Sequence, residues 1–306
     1  MQTAPFANAR RIAVFASPMV GDALLMQTIV RSLVADGREV VVYGNVASQL
    51  RRWLSGVDIR PAFNIAEESS VARYDVIVQL HPDRPINAPE LLTVPVLSIY
   101  GTTDPWPSAV LDQFAHFCRK FFGLEHFAGA SDLTAPPALQ WRHHASRIVI
   151  HPTSSESHKC WRPQRFVRLA EVLRERGFQP KFIVSQSERP DWIWLEQRGF
   201  EVLESNTLDD AATWLYESGW FIGNDSGIGH LASALGIPTL SLFSRKSRAA
   251  RWRPAWAPGL FVHPQFLPLR FLRNNYWQYA ISVQRVAREF EKLCITFGEQ
   301  RPSAVL

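Results

Sequence analysis

The chain has 306 residues, enough for two α/β domains, and its hydrophobic fraction of 46% and charged fraction of 20% exclude a disordered or fibrous protein. Its three cysteines, Cys118, Cys160 and Cys294, form no CxxC pair, so neither a zinc site nor a disulfide framework is indicated and a reducing cytoplasm is expected. The net charge of +5 and a pI near 9.3 favour anionic partners, but do not choose among nucleotide-sugars, phospholipids, phosphorylated glycolipids and nucleic acids.

Short β-rich runs alternate with helical patterns along the first part of the chain. The runs IAVFA, EVVVYG, DVIVQL and VPVLSIY predict strands, and the segments that follow them, such as DALLMQTIVRSLVADG, predict helices. The first apolar run follows Arg10 and Arg11, as in a signal peptide, but Asp22 interrupts it and helical spacing continues. We therefore expect a first strand in place of a signal peptide, and parallel βαβ units throughout.

The alternation breaks between Ala130 and Ser146, where two prolines lie in a polar segment, and then restarts. Strands are predicted at RIVIHP, PKFIVS, EVLE, WFIGN and IPTLSLF, with helices between them and an amphipathic closing helix at about 282–294. We expect two Rossmann-like α/β halves, 1–135 and 136–306, with the closing helix packed back on the first half. The sequence contains no recognisable nucleic-acid-binding module and no apolar run of the ~18 residues that a membrane span requires.

The segment GNDSGIGHLASALGIP, residues 223–238, follows the strand WFIG and is the most specific pattern in the chain. Ligands of doubly wound sheets bind beyond the carboxyl ends of the strands, where a helix N-terminus offers free N–H groups and a positive dipole end to an anion. We expect the amides near Gly227 to hold a diphosphate, with Ser226 and His230 donating from the first turn. The alternative is that Asp225 and Ser226 only cap the helix, which leaves the glycines and the histidine unexplained.

Three further residues follow predicted strands. After RIVI, a small polar loop carries Lys159, which either stabilises a departing diphosphate or is an ordinary solvated lysine. After the first strand, Gly21 and Asp22 begin a helix without the GxGxxG of a dinucleotide site. Asp22 either caps that helix or faces the crevice between the halves and accepts a proton from an acceptor hydroxyl. By its position after KFIV, Glu188 is our candidate for holding a ribose.

Together these segments closely resemble the ADP-heptose:lipopolysaccharide heptosyltransferases, glycosyltransferase family 9, over most of residues 12–243. The family pattern D-[ST]-G-x-x-H-x-x-x-A-x-G-x-P is matched by Asp225, Ser226, Gly227, His230, Ala234, Gly236 and Pro238. The family's Lys-x-Trp-Pro loop is similar to residues 159–163, displaced by one inserted residue, and its Gly-Asp-x-Leu-Leu is similar to residues 21–25. The chain departs from the family at Thr28, where a proline is common, and in the basic run SRKSRAARWRP, which replaces a Gly/Pro-rich loop.

The resemblance implies the GT-B architecture, with two facing Rossmann-like domains, the N-terminal one binding the acceptor and the C-terminal one the donor. It implies inverting transfer of a heptose from ADP-heptose, or a related nucleotide-sugar, to a lipopolysaccharide core acceptor without a metal or other cofactor; no Asp-x-Asp motif occurs. Asp22 would be the general base, while Lys159, Ser226 and Gly227 stabilise the leaving diphosphate. Asp225, His230 and Glu188 would complete the donor-binding set. The expected partners are the donor and an anionic glycolipid, not nucleic acid, for a cytoplasmic enzyme attached peripherally to the inner face of the inner membrane.

Other functions stay open on the sequence alone. The basic run carries Arg245, Lys246, Arg248, Arg251 and Arg253. It is either a solvated loop or a sign of another nucleotide-sugar donor or a protein acceptor. A non-catalytic protein that binds a nucleotide-sugar is the candidate from a different class, although a degenerate transferase should have lost Asp22. A Rossmann dehydrogenase fits least, because the glycine fingerprint and its acidic ribose partner are both missing.

Overall fold

The computed structural model describes residues 4–62, 71–87, 89, 92–102, 109–131, 133–265 and 276–297. The chain divides into two compact units, Met1–Thr134 and Ala135–Leu306. Each unit is built on one sheet whose hydrogen-bonded strands run parallel, with helices in the connections. The predicted class, α/β with two doubly wound parallel sheets, is confirmed.

The N-terminal unit has a five-stranded sheet in the order β3-β2-β1-β4-β5. Its strands are β1 (Arg11–Phe15), β2 (Glu39–Tyr43), β3 (Asp58–Arg60), β4 (Val76–Gln79) and β5 (Val96–Ser98). Its helices are α1 (Val20–Ala35), α2 (Asn45–Gln49), α3 (Ile99–Thr102) and α4 (Val110–Phe122). The inner strands are almost continuously apolar and buried, as expected for a parallel sheet.

The C-terminal unit has a six-stranded sheet in the order β11-β10-β9-β6-β7-β8. Its strands are β6 (His144–His151), β7 (Gln179–Ser185), β8 (Glu201–Ser205), β9 (Ser218–Asn224), β10 (Thr239–Leu242) and β11 (Gly259–Val262). Its α-helices are α5 (Pro163–Glu175), α6 (Leu208–Tyr216), α7 (Gly227–Ala234), α8 (Lys246–Trp252), α9 (Trp277–Ala280) and α10 (Val283–Phe297). Short 3₁₀ segments lie at Ser157–Lys159, Arg189–Asp191 and Ile193–Arg198.

The closing helix α10 belongs to the core of the C-terminal unit. The apolar stripe of α10 is buried in this core beside α5, and the helix also contacts β10 and β11. The stripe consists of Val283, Val286, Ala287, Phe290 and Leu293. The sequence-based expectation placed this helix against the N-terminal half, but its apolar face is used within its own unit.

The basic run after β10 is not the loop expected from the sequence. Residues KSRAARW form α8, because alanine, lysine and arginine favour a helix and no glycine or proline interrupts them. Ala249, on the inner face of this helix, is fully buried, and the helix ends at Trp252, two residues before Pro254. The basic side chains of the run are therefore displayed from a folded element.

A second helix prediction is also corrected. The segment DWIWLEQRG predicts an α-helix, yet it forms 3₁₀ turns. The indole of Trp194 donates to the carbonyl of Asp191 at 2.9 Å, and this carbonyl would otherwise accept the i+4 amide of an α-helix. Among the described helices, none combines the length and the apolar character that a membrane crossing requires.

Candidate active site

Asn224 ties together the carboxyl ends of β6 and β9 in the C-terminal sheet. Its side chain is fully buried; the amide nitrogen donates to the carbonyl of Pro152 at 2.7 Å and the amide oxygen accepts from the backbone of Trp161 at 2.9 Å. The loop that carries Lys159 lies between these two contacts. It is therefore held at both ends against the edge of the sheet.

Helix α7 begins two residues after β9, beside the same loop. Its N-cap is Ser226, in extended conformation (φ −149°, ψ 161°), whose side chain makes no capping hydrogen bond. The hydroxyl of Ser154, in the Lys159 loop, donates to the carbonyl of Asp225 at 2.9 Å. The interpretation that Asp225 and Ser226 serve only as side-chain caps is thus wrong, and the start of α7 is joined to the Lys159 loop.

Four side chains form a hydrogen-bonded chain along this edge. Nδ1 of His151 lies 3.1 Å from Oγ of Ser226, and Nε2 of the same ring lies 3.1 Å from Oγ1 of Thr153. Thr153 in turn bonds to the carboxylate of Glu188. That carboxylate also accepts from the amide and the hydroxyl of Ser185, at 2.9 and 2.6 Å.

The protonation states of these groups fix which partner donates in each hydrogen bond of this series. Burial lowers the pKa of His151 to about 4 against the opposing field of Glu188, so the ring is neutral at pH 7 and has one N–H. Burial raises the pKa of Glu188, but hydrogen bonds from Ser185 and Thr153 outweigh it and the net pKa is lowered. Glu188 is therefore a carboxylate that only accepts.

Each of the other donors has a single proton, so the donor and acceptor of the remaining hydrogen bonds follow. Thr153 donates its hydroxyl proton to Glu188, so its oxygen accepts from Nε2–H of His151. Nδ1 of His151 carries no proton and accepts from the hydroxyl of Ser226. The expected donation from the Ser226 hydroxyl to an anion is therefore corrected, because this proton is directed to His151.

Lys159 ends the 3₁₀ turn Ser157–Lys159, and its ammonium pairs with the carboxylate of Glu156. The lysine side chain is 12% exposed, whereas that of Glu156 is 49% exposed. The hydrogen bond from Lys159 is the main cause that lowers the pKa of Glu156. Lys159 is thus a largely buried cation at the site edge whose present partner is accessible to solvent.

Asp225 and His230 make contacts with α8 and the segment after it. The carboxylate of Asp225 pairs with the guanidinium of Arg248, and its side chain is 11% exposed. Burial lowers the pKa of His230 to about 4, although Asp225 and a hydrogen bond with the backbone of Trp252 act in the opposite direction. The ring of His230 is 6% exposed and lies edge-on to Trp256, with centroids 6.1 Å apart.

These contacts give His230 a role other than the expected one. The neutral ring is enclosed between α7 and α8, and Nδ1 finds no hydrogen-bond partner among the described residues. The expectation that His230 donates to an anion from the first turn is not met. Asp225 and His230 instead hold α8 against the start of α7.

Asp22 lies in the first turn of α1 in the N-terminal unit. The N-cap of that helix is Met19, so the interpretation of Asp22 as the capping residue is wrong. The hydroxyl of Ser17 donates to the Asp22 carboxylate at 3.4 Å. Asp22 also raises the pKa of His81, which burial lowers more strongly. Because α1 follows β1 and His81 follows the neighbouring β4, both groups lie at the carboxyl edge of this sheet.

Sequence reasoning placed these segments at the sheet edge but missed several of the side chains that organise them. Asn224 lies within the segment 223–238, and His151 and Thr153 lie at the end of β6 and just after it, but none of the three was named as a site residue. A polar residue that interrupts an apolar run at the end of a predicted strand is the signal that identifies them. Among the described residues, no three His, Cys, Asp or Glu side chains cluster as ligands for a metal ion.

Comparisons with known sequences match about half of the chain, and the family match includes the Lys159 loop and the segment 223–238. The family model of glycosyltransferase family 9 (heptosyltransferase) covers residues 106–258. Lipopolysaccharide heptosyltransferase 3 of Escherichia coli strain K12 is 29% identical over 171 residues, 51% of this chain and 48% of that protein. A second E. coli protein of that name is 25% identical over 185 residues, 55% of this chain and 51% of that protein. The chain therefore spans about half the length of the curated relatives it matches.

Solved structures resemble the chain over both units. A glycosyl transferase family 9 protein from Veillonella parvula DSM 2008 has a TM-score of 0.74 at 16% identity, covering 97% of this chain and 99% of that one. E. coli ADP-heptose lps heptosyltransferase II has a TM-score of 0.70 at 19% identity, covering 94% and 99%. E. coli heptosyltransferase WaaC with ADP has a TM-score of 0.68 at 13% identity, covering 92% and 99%. These likenesses show the GT-B fold, and the family match over half of the sequence shows that the chain belongs to glycosyltransferase family 9.

Proposed function

We propose that the chain transfers a heptose from ADP-heptose, or a related nucleotide-sugar, to a lipopolysaccharide core acceptor, with inversion and without a metal ion. The observation that carries this proposal is the joining of the Lys159 loop to the start of α7 through Asn224 and Ser154. It is supported by relatives named as lipopolysaccharide heptosyltransferases and by a structural neighbour solved with ADP and with ADP-2-deoxy-2-fluoro heptose.

The donor diphosphate binds at the first-turn amides of α7, around Ser226 and Gly227. The first N–H groups of a helix lack intrahelical acceptors and carry the positive end of its dipole. Lys159 supplies the cation, because its partner Glu156 is accessible and the ammonium exchanges the Glu156 carboxylate for the donor diphosphate. His230 is neutral and adds no charge, so the growing negative charge of the leaving group is stabilised by Lys159 and the helix start.

The ribose is held by Glu188, whose carboxylate lies at the end of β7 and has lone pairs beyond those used by Ser185 and Thr153. Asp225 contributes to donor binding only indirectly. A carboxylate beside a diphosphate would repel it unless the carboxylate charge is neutralised. Its pairing with Arg248 neutralises it and keeps α8 in place.

Asp22 is the general base of the transfer. The acceptor hydroxyl oxygen attacks the anomeric carbon from the face opposite the diphosphate, and its proton passes to the Asp22 carboxylate. The bond from the anomeric carbon to the diphosphate oxygen breaks, and ADP leaves with the electron pair. One displacement of this kind inverts the anomeric configuration.

The donor half of the proposal is tested by nucleotide affinity. ADP should raise the melting temperature more than UDP or GDP does at equal concentration, because a ligand that binds only the folded state stabilises it by mass action. Lys159→Ala should weaken ADP binding about ten- to a hundredfold in calorimetry, the worth of one charge-assisted hydrogen bond. Lys292→Ala is the matched control, because it also removes a lysine from an i,i+3 pair with glutamate and should leave ADP affinity unchanged. Equal affinities for the three nucleotides, or for the two variants, would contradict the assignment.

The acceptor part of the proposal is that the protein acts on an anionic glycolipid and attaches peripherally to the cytoplasmic face of the inner membrane. The net charge of +5 supports attraction to an anionic surface. Such binding is electrostatic and weakens as salt screens it. Vesicles of anionic phospholipid should therefore retain the protein at low salt and release it at high salt, and failure to bind at low salt would refute this part.

A further inference from the structure

Two basic side chains, Arg245 and Lys246, help to line a cavity of about 430 Å³ in the C-terminal unit. The cavity lies where the chain leaves β10 and β11, at the carboxyl edge of the sheet. Its seven lining residues are Ser244, Arg245, Lys246, Ser247, His263, Pro264 and Gln265. None of the seven is acidic, and five of them carry side-chain N–H or O–H donors without counting the histidine. The lining therefore suits an anion with several oxygens.

The strand order gives this cavity a place relative to the donor site. Along the edge, β7 ends near Glu188, β6 ends at His151, β9 leads to Ser226, and β10 and β11 come next. Given the proposed function, on which this step rests, the ribose lies at β7 and the diphosphate between β6 and β9. The cavity is then on the side of the diphosphate away from the nucleoside, where the transferred sugar and the acceptor extend.

Both walls of the cavity are held by contacts outside it. On the α8 side, Arg248 pairs with Asp225 and Ala249 is fully buried, so the helix start that carries Lys246 is fixed. On the β11 side, a guanidinium nitrogen of Arg285 donates to the carbonyl of His263 at 2.7 Å. The lining is thus displayed by two anchored segments and not by an unsupported loop.

The ring of His263 is also oriented. Its Nδ1 lies 2.7 Å from the carbonyl of Pro264, which can only accept, so Nδ1 carries a proton. The ring stacks on Phe261 with centroids 6.0 Å apart and planes 28° from parallel. This orientation is held without help from a ligand.

We propose that this cavity binds a phosphate monoester group carried by the acceptor, separately from the diphosphate of the donor. A phosphate monoester has three terminal oxygens and close to two negative charges, which match a guanidinium, an ammonium and several neutral donors. The basic run that departs from the family pattern in sequence thereby becomes an acceptor-selecting feature of this chain. The site takes a phosphorylated sugar and not an unphosphorylated one.

The test is a titration of the 306-residue protein with inorganic phosphate, monitored by ³¹P NMR with and without saturating ADP. Wild-type protein should bind phosphate in both conditions, because the two anions occupy different sites. The double variant Arg245→Ala/Lys246→Ala should bind phosphate at least about tenfold more weakly, since two charge-assisted contacts are lost. Arg168→Ala/Arg288→Ala removes the same charge from exposed positions outside the cavity and should retain wild-type affinity.

Each other outcome overturns the proposal. Displacement of phosphate by ADP would assign the cavity to the donor nucleotide, and equal losses in both double variants would show attraction to net charge only. Absence of phosphate binding to wild-type protein would remove the site. The proposed donor site is tested separately by ADP affinity, which should be the same in wild type and both double variants. If ADP does not bind, the donor site is wrong, but the comparison of phosphate affinities still holds.

Discussion

His151 connects the start of α7 to the end of β7 through a directed series of hydrogen bonds. The direction depends on Glu188 being a pure acceptor, as the lowered pKa requires. Because every donor in the series has one proton, a change at Glu188 must propagate to Ser226. A local change at Glu188, after β7, is thus transmitted past the end of β6 to Ser226, after β9.

Glu188→Gln should invert the tautomer of His151. The glutamine amide can donate to Thr153, whose own hydroxyl proton then goes to Nε2 of the ring. His151 is left with its proton on Nδ1, from which it donates to Ser226. The ¹⁵N chemical shifts of the imidazole nitrogens report the change directly.

The matched control is Glu204→Gln, which makes the same chemical change within β8, where the carboxylate pairs with Arg189. It should leave His151 protonated on Nε2. If the Glu188 variant also keeps the Nε2 tautomer, the derived direction of the series is wrong.

At the scale of single residues, sequence reasoning located side chains better than it assigned them roles. Lys159 and Ser226 were placed at the sheet edge because each follows a recognisable apolar strand. The burial of His230 was not predictable from the motif, since it depends on Trp256 and on the basic run folding as a helix. The partner of the Ser226 hydroxyl was likewise hidden, because His151 comes 75 residues earlier in the chain.

Among the elements, β9 is tightly packed at Gly223, directly before Asn224. A Cβ added at this glycine would lie 2.6 Å from the ring of Phe221 and 3.0 Å from the carbonyl of His151. Phe221 is fully buried and cannot swing into solvent. The absence of a side chain therefore lets β9 run close to β6 under the start of α7.

Gly223→Ala should destabilise the protein by about 1 to 3 kcal/mol, the usual cost of overpacking a core. It should also weaken ADP binding, because relief of the contact moves the carbonyl of His151 and with it the edge of the site. Urea unfolding and calorimetry measure the two effects. Gly129→Ala, where no atom lies within 4 Å of the added carbon, should change neither quantity. Wild-type stability of the Gly223 variant would disprove the tight approach.

The sequence predicted elements best where apolar runs were long. The inner strands β1, β6 and β9 contain the apolar runs IAVF, IVI and WFI, and each was predicted. The edge strands β3 and β11 were missed, because three or four residues with a polar or glycine start give no period. The basic run was taken for a loop because charge pattern was weighed above helix propensity.

At the scale of the whole molecule, stability should depend on pH through two buried histidines. Burial holds the pKa of His151 and of His230 at about 4 in the folded protein, against about 6.5 in the unfolded chain. Between these values the unfolded chain binds more protons, so the free energy of unfolding falls as pH falls from 6.5 and levels off below 4. Each histidine should contribute roughly 3 kcal/mol to this loss.

Urea unfolding at several pH values between 4 and 7 measures the slope. Other groups titrate in the same range, so the prediction concerns the difference between variants and wild type. His151→Gln and His230→Gln should each flatten the slope, whatever their effect on stability at pH 7. His126→Gln, at an exposed position, should leave the slope unchanged. Slopes equal to wild type in both buried variants would contradict the neutral, buried state of these rings.

The division of the chain into two parallel-sheet units was within reach of the sequence, because the alternation of strands and helices stops and restarts. The unit to which α10 belongs was not, since an amphipathic pattern shows that a face is buried but not against what. The proposed base and the proposed leaving-group cation belong to different units, so a transfer assay tests the whole molecule.

The most direct test is the rate of ADP formation from ADP-heptose with a lipopolysaccharide core acceptor, compared between wild type and Asp22→Asn. Asparagine keeps the size of the side chain and its ability to accept from Ser17, but it cannot take a proton. Transfer should fall by roughly two to four orders of magnitude, as for loss of a general base, while ADP affinity and melting temperature stay near wild type. Near-normal turnover of the variant, or no acceptor-dependent ADP formation by wild type, would contradict the proposed transfer.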